Sequence, residues 1–194
     1  DIGMRSQPAA AAAQPSVGMT HLADEQVQRA ILRHGGDGVL AMRQRFQQVG
    51  LKPVGASYQH AFTFTTRGTI TPQAGVNLVG MVPGKSEKIL VITAHYDHVG
   101  TRNGKIFNGA DDDASGIGAL LAMATHYQKQ RPLHTLVFVA FDAEEQGLAG
   151  SKAFVANLPF PKERVLVNVN LDMVGGDAPD TVIERLKGAH IKTV

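Results

Sequence analysis

Carboxylates and imidazoles gather in four short blocks of this sequence, each beside a run of apolar residues. The first block is Ala94-His95-Tyr96-Asp97-His98, the second Asp111-Asp112-Asp113, the third Asp142-Ala143-Glu144-Glu145, and the fourth is the single Asp172. Imidazole nitrogen and carboxylate oxygen are groups that zinc accepts, and a metal-bound histidine usually gives its remaining ring N–H to an oxygen that fixes the ring. A His-x-Asp pair after a strand therefore suits His95 as a ligand with Asp97 beside it, although an ordinary polar loop looks the same. His98 is expected to neighbour such a site rather than bind in it. Three consecutive aspartates repel one another, and capping the following helix needs at most one or two of them. Glu144 and Glu145, adjacent at a strand end, point in different directions. One can hold a metal while the other acts as general base on the reacting water; an acidic helix start is the plainer alternative. Asp172, taken alone, reads as a turn former.

An open α/β sheet would bring these blocks together, because ligands gather at the carboxyl ends of its strands. Three apolar runs, Ile89 to Thr93, Thr135 to Phe141 and Val165 to Leu171, predict strands covered on both faces, and they lead into His95, Glu144 and Asp172 respectively. Between the first two, Ile117, Leu120, Leu121, Ala124 and Tyr127 form the stripe of a helix over Ser115 to Tyr127, with Ser115 expected as its cap. A shorter helix signal covers Leu148 to Leu158. This alternation predicts a three-layer α/β/α sandwich with a mixed, mainly parallel central sheet. Upstream, the sequence turns helical from Leu22, and Val39, Met42, Phe46 and Val49 recur at helical spacing until Gly50 stops them and Pro53 follows. Tyr58 to Thr65 alternates as a half-buried strand with His60, Phe62 and Phe64 on one face; Asn77 to Val82 is a second strand, closed by Pro83-Gly84.

The chain has 194 residues, 43% hydrophobic and 19% charged, enough apolar material for one folded domain and too much for disorder. The net charge of +2 is spread along the sequence without a basic run, which argues against a nucleic-acid or anionic-membrane surface. With no cysteine, disulfides and thiolate nucleophiles are excluded. No apolar stretch approaches the roughly 18 residues of a membrane span. Residues 1–20 are expected to form a flexible segment, since Arg5 to Val17 reduces to Ala, Pro, Gln and Ser with Ala9 to Ala13 unbroken; residues 21–194 then form a single domain. The opening on Asp1 fits a removed leader or a cloning scar. A tether of this composition often follows an export signal, so a periplasmic or extracellular location is the expectation.

AHYDHVG at 94–100, NGADDDASGIGALL at 108–121, FVAFDAEEQGLAGS at 138–151 and NVNLDMVG at 168–175 resemble the co-catalytic dizinc aminopeptidases. These are the bacterial leucine-aminopeptidase type within family twenty-eight of the metallopeptidases. The order and spacing of all four blocks match; the region before residue 76 is similar only loosely. The resemblance implies a phosphorylase/hydrolase-like zinc exopeptidase fold, two zinc ions, and hydrolysis of the N-terminal peptide bond of peptides or proteins. Carried over, His95 and Asp172 hold one metal, Asp112 bridges both, Glu145 holds the second, Glu144 is the general base and Asp97 orients His95. A cis peptide between Asp112 and Asp113 is implied as well. The family's fifth ligand is a histidine well downstream of the Asp172 position. Here only His190 lies beyond Asp172, and its surroundings do not resemble that loop. The chain is therefore expected to carry the metal-binding core with its C-terminal part shortened and its second metal held less securely. Two alternatives stand beside an active aminopeptidase. One is a non-catalytic domain that binds metal or a partner without turnover. The other is a glutaminyl-cyclase-like acyl transferase, against which the peptidase-type GADDDASG string speaks.

Overall fold

The computed structural model describes residues 36–66 and 68–175. The expected N-terminal tether, the helix signal before residue 36 and His190 lie outside them. Helix α1, Gly36–Val49, buries Met42 and Phe46, four residues apart on one face, with Val39 and Val49 packed beside them. Gly50, at φ 83°, ends it in the left-handed region where a side chain would be strained. Strands β1, Lys52–Pro53, and β2, Gln59–Phe64, follow each other along one edge of β3, Gln73–Val82, both antiparallel to it. In β2 exposed and half-buried residues alternate, and His60, Phe62 and Phe64 are the half-buried ones, as the period of two predicts.

Strand β4, Ser86–His95, is followed by a hairpin of β5, Gly100–Arg102, and β6, Lys105–Phe107. No apolar pattern marks this hairpin; its signature is the Asn103-Gly104 turn, in which both residues have positive φ (52° and 74°). A widened turn, Ala110–Ser115, then enters helix α2, Gly116–Lys129. Strand β7, His134–Phe141, helix α3, Ala149–Ala156, a short 3₁₀ turn and strand β8, Val165–Asn170, complete the described chain.

The six-stranded sheet has β3, β7, β4 and β8 as successive neighbours, with β1 and β2 beyond β3. β7, β4 and β8 are mutually parallel and β3 is antiparallel to β7, so β3 alone opposes the other five. Along β7, Leu136, Phe138 and Ala140 face α1 and α2, meeting Met42, Phe46, Ile117 and Leu120. Val137, Val139 and Phe141 face the other way, towards Phe154 of α3. Each such large side chain contributes about 1.5–3 kcal/mol when fully buried. The result is the expected three-layer α/β/α sandwich.

Three details differ from the sequence reading. β3 and β4 begin at Gln73 and Ser86, earlier than their apolar runs, because ladder pairing with β2 and β7 continues through polar residues. β8 stands at the end of the sheet among the described residues and is only partly buried, so its apolar run does not imply cover on both faces. Ser115 does not cap α2. It is helical itself (φ −65°, ψ −44°), donates to the Asp111 carbonyl (2.7 Å) and accepts the Val174 N–H (3.0 Å). Asp113 instead accepts the Gly116 N–H at 3.0 Å. Among the described residues no helix is long and apolar enough to cross a membrane.

Candidate metal centre

The parallel register of the three core strands levels their carboxyl ends. His95 closes β4 opposite Phe141 of β7, and Thr93 pairs with Asn170 of β8. The Tyr96 N–H continues to the Phe141 carbonyl (2.9 Å) and the Leu171 N–H to the Thr93 carbonyl (2.8 Å). Asp142 to Glu145 and Asp172 therefore emerge beside His95. The Ala110–Ser115 turn adds Asp112 from the helix layer. Within it Asp112 and Asp113 leave helical backbone angles, and the peptide between them is cis.

His95, Asp112 and Asp172 each offer a ligand atom, and the three atoms lie within 4.8 Å of one another. His95 Nε2 is 3.0 Å from Asp112 Oδ1 and 4.0 Å from both Asp172 Oδ1 and Glu144 Oε2. The imidazole is 4% exposed, whereas Asp112 and Asp172 are 44% and 41% exposed, so the triad opens to solvent on its carboxylate side. His95 Nδ1 lies 3.0 Å from the Asp97 carbonyl. A carbonyl only accepts, so Nδ1 carries a hydrogen, and a neutral ring would turn the lone pair of Nε2 towards Asp112. Nε2 is buried without a hydrogen bond. Two acceptors 3.0 Å apart need a cation between them, a proton or a metal.

The electrostatics agree. Burial by itself depresses the His95 imidazolium, but the hydrogen bond to Asp97 and the charges of Asp113, Asp97 and Glu144 outweigh it, raising the pKa from 6.5 to about 10. Burial, assisted by neighbouring carboxylates and opposed by His95, pushes Glu144, Glu145 and Asp172 up. The donor set fits zinc. Bonds of about 2.0–2.2 Å to nitrogen and carboxylate oxygen place the ligands of one ion about 3.3 Å apart, and the 3.0 and 4.0 Å separations from His95 Nε2 lie within an ångström of that spacing.

Asp97 meets the His95 ring with two groups: its carbonyl lies 3.0 Å from Nδ1 and its carboxylate Oδ1 3.5 Å from the same atom. The carboxylate accepts the backbone N–H groups of Glu144 (3.0 Å) and Glu145 (3.2 Å). Glu145 stays outside the triad, with its Oε1 buried and making no hydrogen bond. His98 packs at Gly109 and is also outside the triad. The sequence reading gave no role to Asp142, which accepts the N–H groups of Val76 (2.9 Å) and Ala143 (2.8 Å), or to buried Asn77, which bridges Asp142 N–H (3.1 Å) and the Gly150 carbonyl (2.8 Å). A polar residue opening an otherwise apolar strand was the only available signal for Asn77.

The sequence model of Peptidase family M28 matches residues 77–193. The chain belongs to this family. It is 38% identical over 109 residues to Aminopeptidase YwaD of Bacillus subtilis, covering 54% of this chain and 23% of that protein. It is 35% identical over 119 residues to Vacuolar membrane protease of Eremothecium gossypii, covering 60% of this chain and 11% of that protein. The chain thus spans less than a quarter of the length of these two relatives. Among solved structures, a Zn-dependent exopeptidase from Parabacteroides distasonis has a TM-score of 0.66 at 22% identity over 80% of this chain and 61% of that one. Porphyromonas gingivalis glutaminyl cyclase has the same TM-score at 20% identity and the same coverage. At such identities the likeness is one of fold, which peptide hydrolysis and glutaminyl cyclisation share. This M28 chain carries a His/Asp/Asp metal-binding triad at the carboxyl edge of that fold, a metallopeptidase-like site.

Proposed function

We propose that this chain is a zinc aminopeptidase that removes N-terminal residues from peptides, with Glu144 as general base. The observation that carries the reading is the buried, unbonded Nε2 of His95 facing the carboxylates of Asp112 and Asp172. Zinc held there by His95, Asp112 and Asp172 would supply Lewis acidity, lowering the pKa of a water towards about 7 and polarising the scissile carbonyl. Glu144, held by its backbone on Asp97 with its carboxylate 4.0 Å from His95 Nε2, takes a proton from the attacking water. As the C–N bond breaks, Glu144 returns that proton to the leaving amine. Its pKa, raised chiefly by burial, makes the carboxylate a better acceptor for the water's proton. The α-ammonium of the substrate is a cation suited to the carboxylate rim, which favours action at a free N-terminus. A second zinc is part of the same reading. It is supported by the unsatisfied Oε1 of Glu145, whose carboxyl feels the charge of Asp112.

The test is metal content together with hydrolysis of aminoacyl-p-nitroanilides before and after chelation. At least one zinc per chain and chelator-sensitive release are expected, and two zinc ions if Glu145 binds. Stoichiometric zinc without turnover would assign a binding domain. Ammonia released from an N-terminal glutaminyl peptide, with no free amino acid, would assign acyl transfer.

A further inference from the structure

The middle of the three aspartates belongs to the metal triad, and the third is turned inwards. Asp113 is 1% exposed, and both its oxygens accept backbone N–H groups. Oδ2 takes the N–H of His95 (3.1 Å), while Oδ1 takes those of Gly116 (3.0 Å) and Met173 (3.2 Å). Each donor sits on a segment that carries a ligand. His95 is itself one, Gly116 opens the helix four residues after Asp112, and Met173 directly follows Asp172. These segments belong to β4, to the turn before α2 and to the loop after β8, and they meet at one carboxylate. The packing leaves no slack: a Cβ on Gly116 would stand 2.4 Å from Asp113 Oδ1 and 2.4 Å from the Leu171 carbonyl.

We propose that Asp113 is the positioning residue of the metal centre, its carboxylate fixing the mutual placement of His95, Asp112 and Asp172 through their backbones. The chemistry requires a carboxylate. It accepts only, has lone pairs for three donors, and hydrogen bonds to an ionised acceptor are the stronger kind. An amide in its place has one acceptor oxygen and presents N–H groups to the N–H of His95 or to those of Gly116 and Met173. Asp113 does not compete for the ion, because both its oxygens are committed to the backbone.

This inference rests on the metal reading above, and the experiment separates the two. Zinc affinity is measured by competition with a chromophoric chelator, and ligand geometry by the visible absorption of bound Co²⁺, in the parental chain, Asp113→Asn and the remote core variant Val137→Ala. Zinc binding by Asp113→Asn is expected to weaken by about 10–100-fold, with an altered cobalt spectrum, as for other groups that orient metal ligands. Val137→Ala is expected to lower the melting temperature and leave both readouts at parental values. Parental affinity and spectrum in Asp113→Asn would overturn the inference, as would an equal loss in Val137→Ala. Should Asp113→Asn fail to fold, amide exchange in the parental chain decides: zinc is expected to slow His95, Gly116 and Met173 together, and independent responses would overturn it. A parental chain that binds no zinc overturns the metal reading itself.

Discussion

Asp97 holds Glu144 by its backbone, Oδ1 accepting the Glu144 N–H at 3.0 Å, while the Asp97 carbonyl lies 3.0 Å from His95 Nδ1. One residue therefore fixes both the ring of a metal ligand and the loop of the proposed base. Asp97→Asn keeps the carbonyl and exchanges one carboxylate acceptor for a donor facing an N–H. The expected outcome is a fall of about 10–100-fold in kcat per bound zinc, with zinc affinity changed less. Equal kcat per zinc in variant and parent would show that the clamp does not position the base.

Glu144→Gln isolates the proposed proton carrier. The amide has nearly the same shape, and the backbone N–H that Asp97 holds is untouched. Zinc content is expected to stay parental while kcat drops by about 10²–10⁴-fold, the usual contribution of a positioned general base. Glu145→Gln is expected to act through metal stoichiometry. A Glu144→Gln protein that hydrolyses at the parental rate would reassign the base.

The convergence of the site was legible because strand and helix periods fix which segments end at the same rim. The stripe of Ile117, Leu120, Leu121 and Ala124 is buried as its spacing demands. The roles of Asp111, Asp112 and Asp113 could not be separated by residue type. Backbone angles decide: Asp112 (φ −108°, ψ 89°) and Asp113 (φ −133°, ψ 41°) depart from the helix, leaving one carboxylate half-exposed in the triad and the other buried. Ser115 departs from its expected capping role for the same reason, since a capping signal in sequence assumes a helix that starts from extended backbone, and Ser115 is itself helical. The carboxylate of Asp97 reaches Glu144 across 47 positions, a contact that no local spacing encodes.

Asn77 carries a testable share of this support. It is 2% exposed and joins the strand layer to the loop after β7 through Asp142 and Gly150. Asn77→Ala leaves a buried N–H and a buried carbonyl without partners, at about 1–3 kcal/mol for each such group. Urea unfolding should show a lower midpoint, and kcat should fall because Glu144 lies two residues beyond Asp142. Unchanged stability would mean that water replaces the amide at no cost.

The pH response of the metal-free chain follows from the same crowding of charge. Folded His95 keeps its proton to about 10 against 6.5 when unfolded, so the stability this proton brings is complete below 6.5 and lost as pH rises towards 10. Asp113 acts in the same direction at lower pH: chiefly through burial, its carboxyl is raised from 3.8 to about 7, so the folded chain loses stability across that interval and the ionised form that accepts all three N–H groups is complete above it. The metal-free melting temperature should therefore fall as pH rises from 6.5 towards about 10. Zinc replaces the proton and requires deprotonated ligands, so the stabilisation it adds should grow over that range. Melting curves with chelator and with zinc at both ends of the range test this. A chelated protein that grows more stable with rising pH would show that the carboxylates around His95 do not hold its proton.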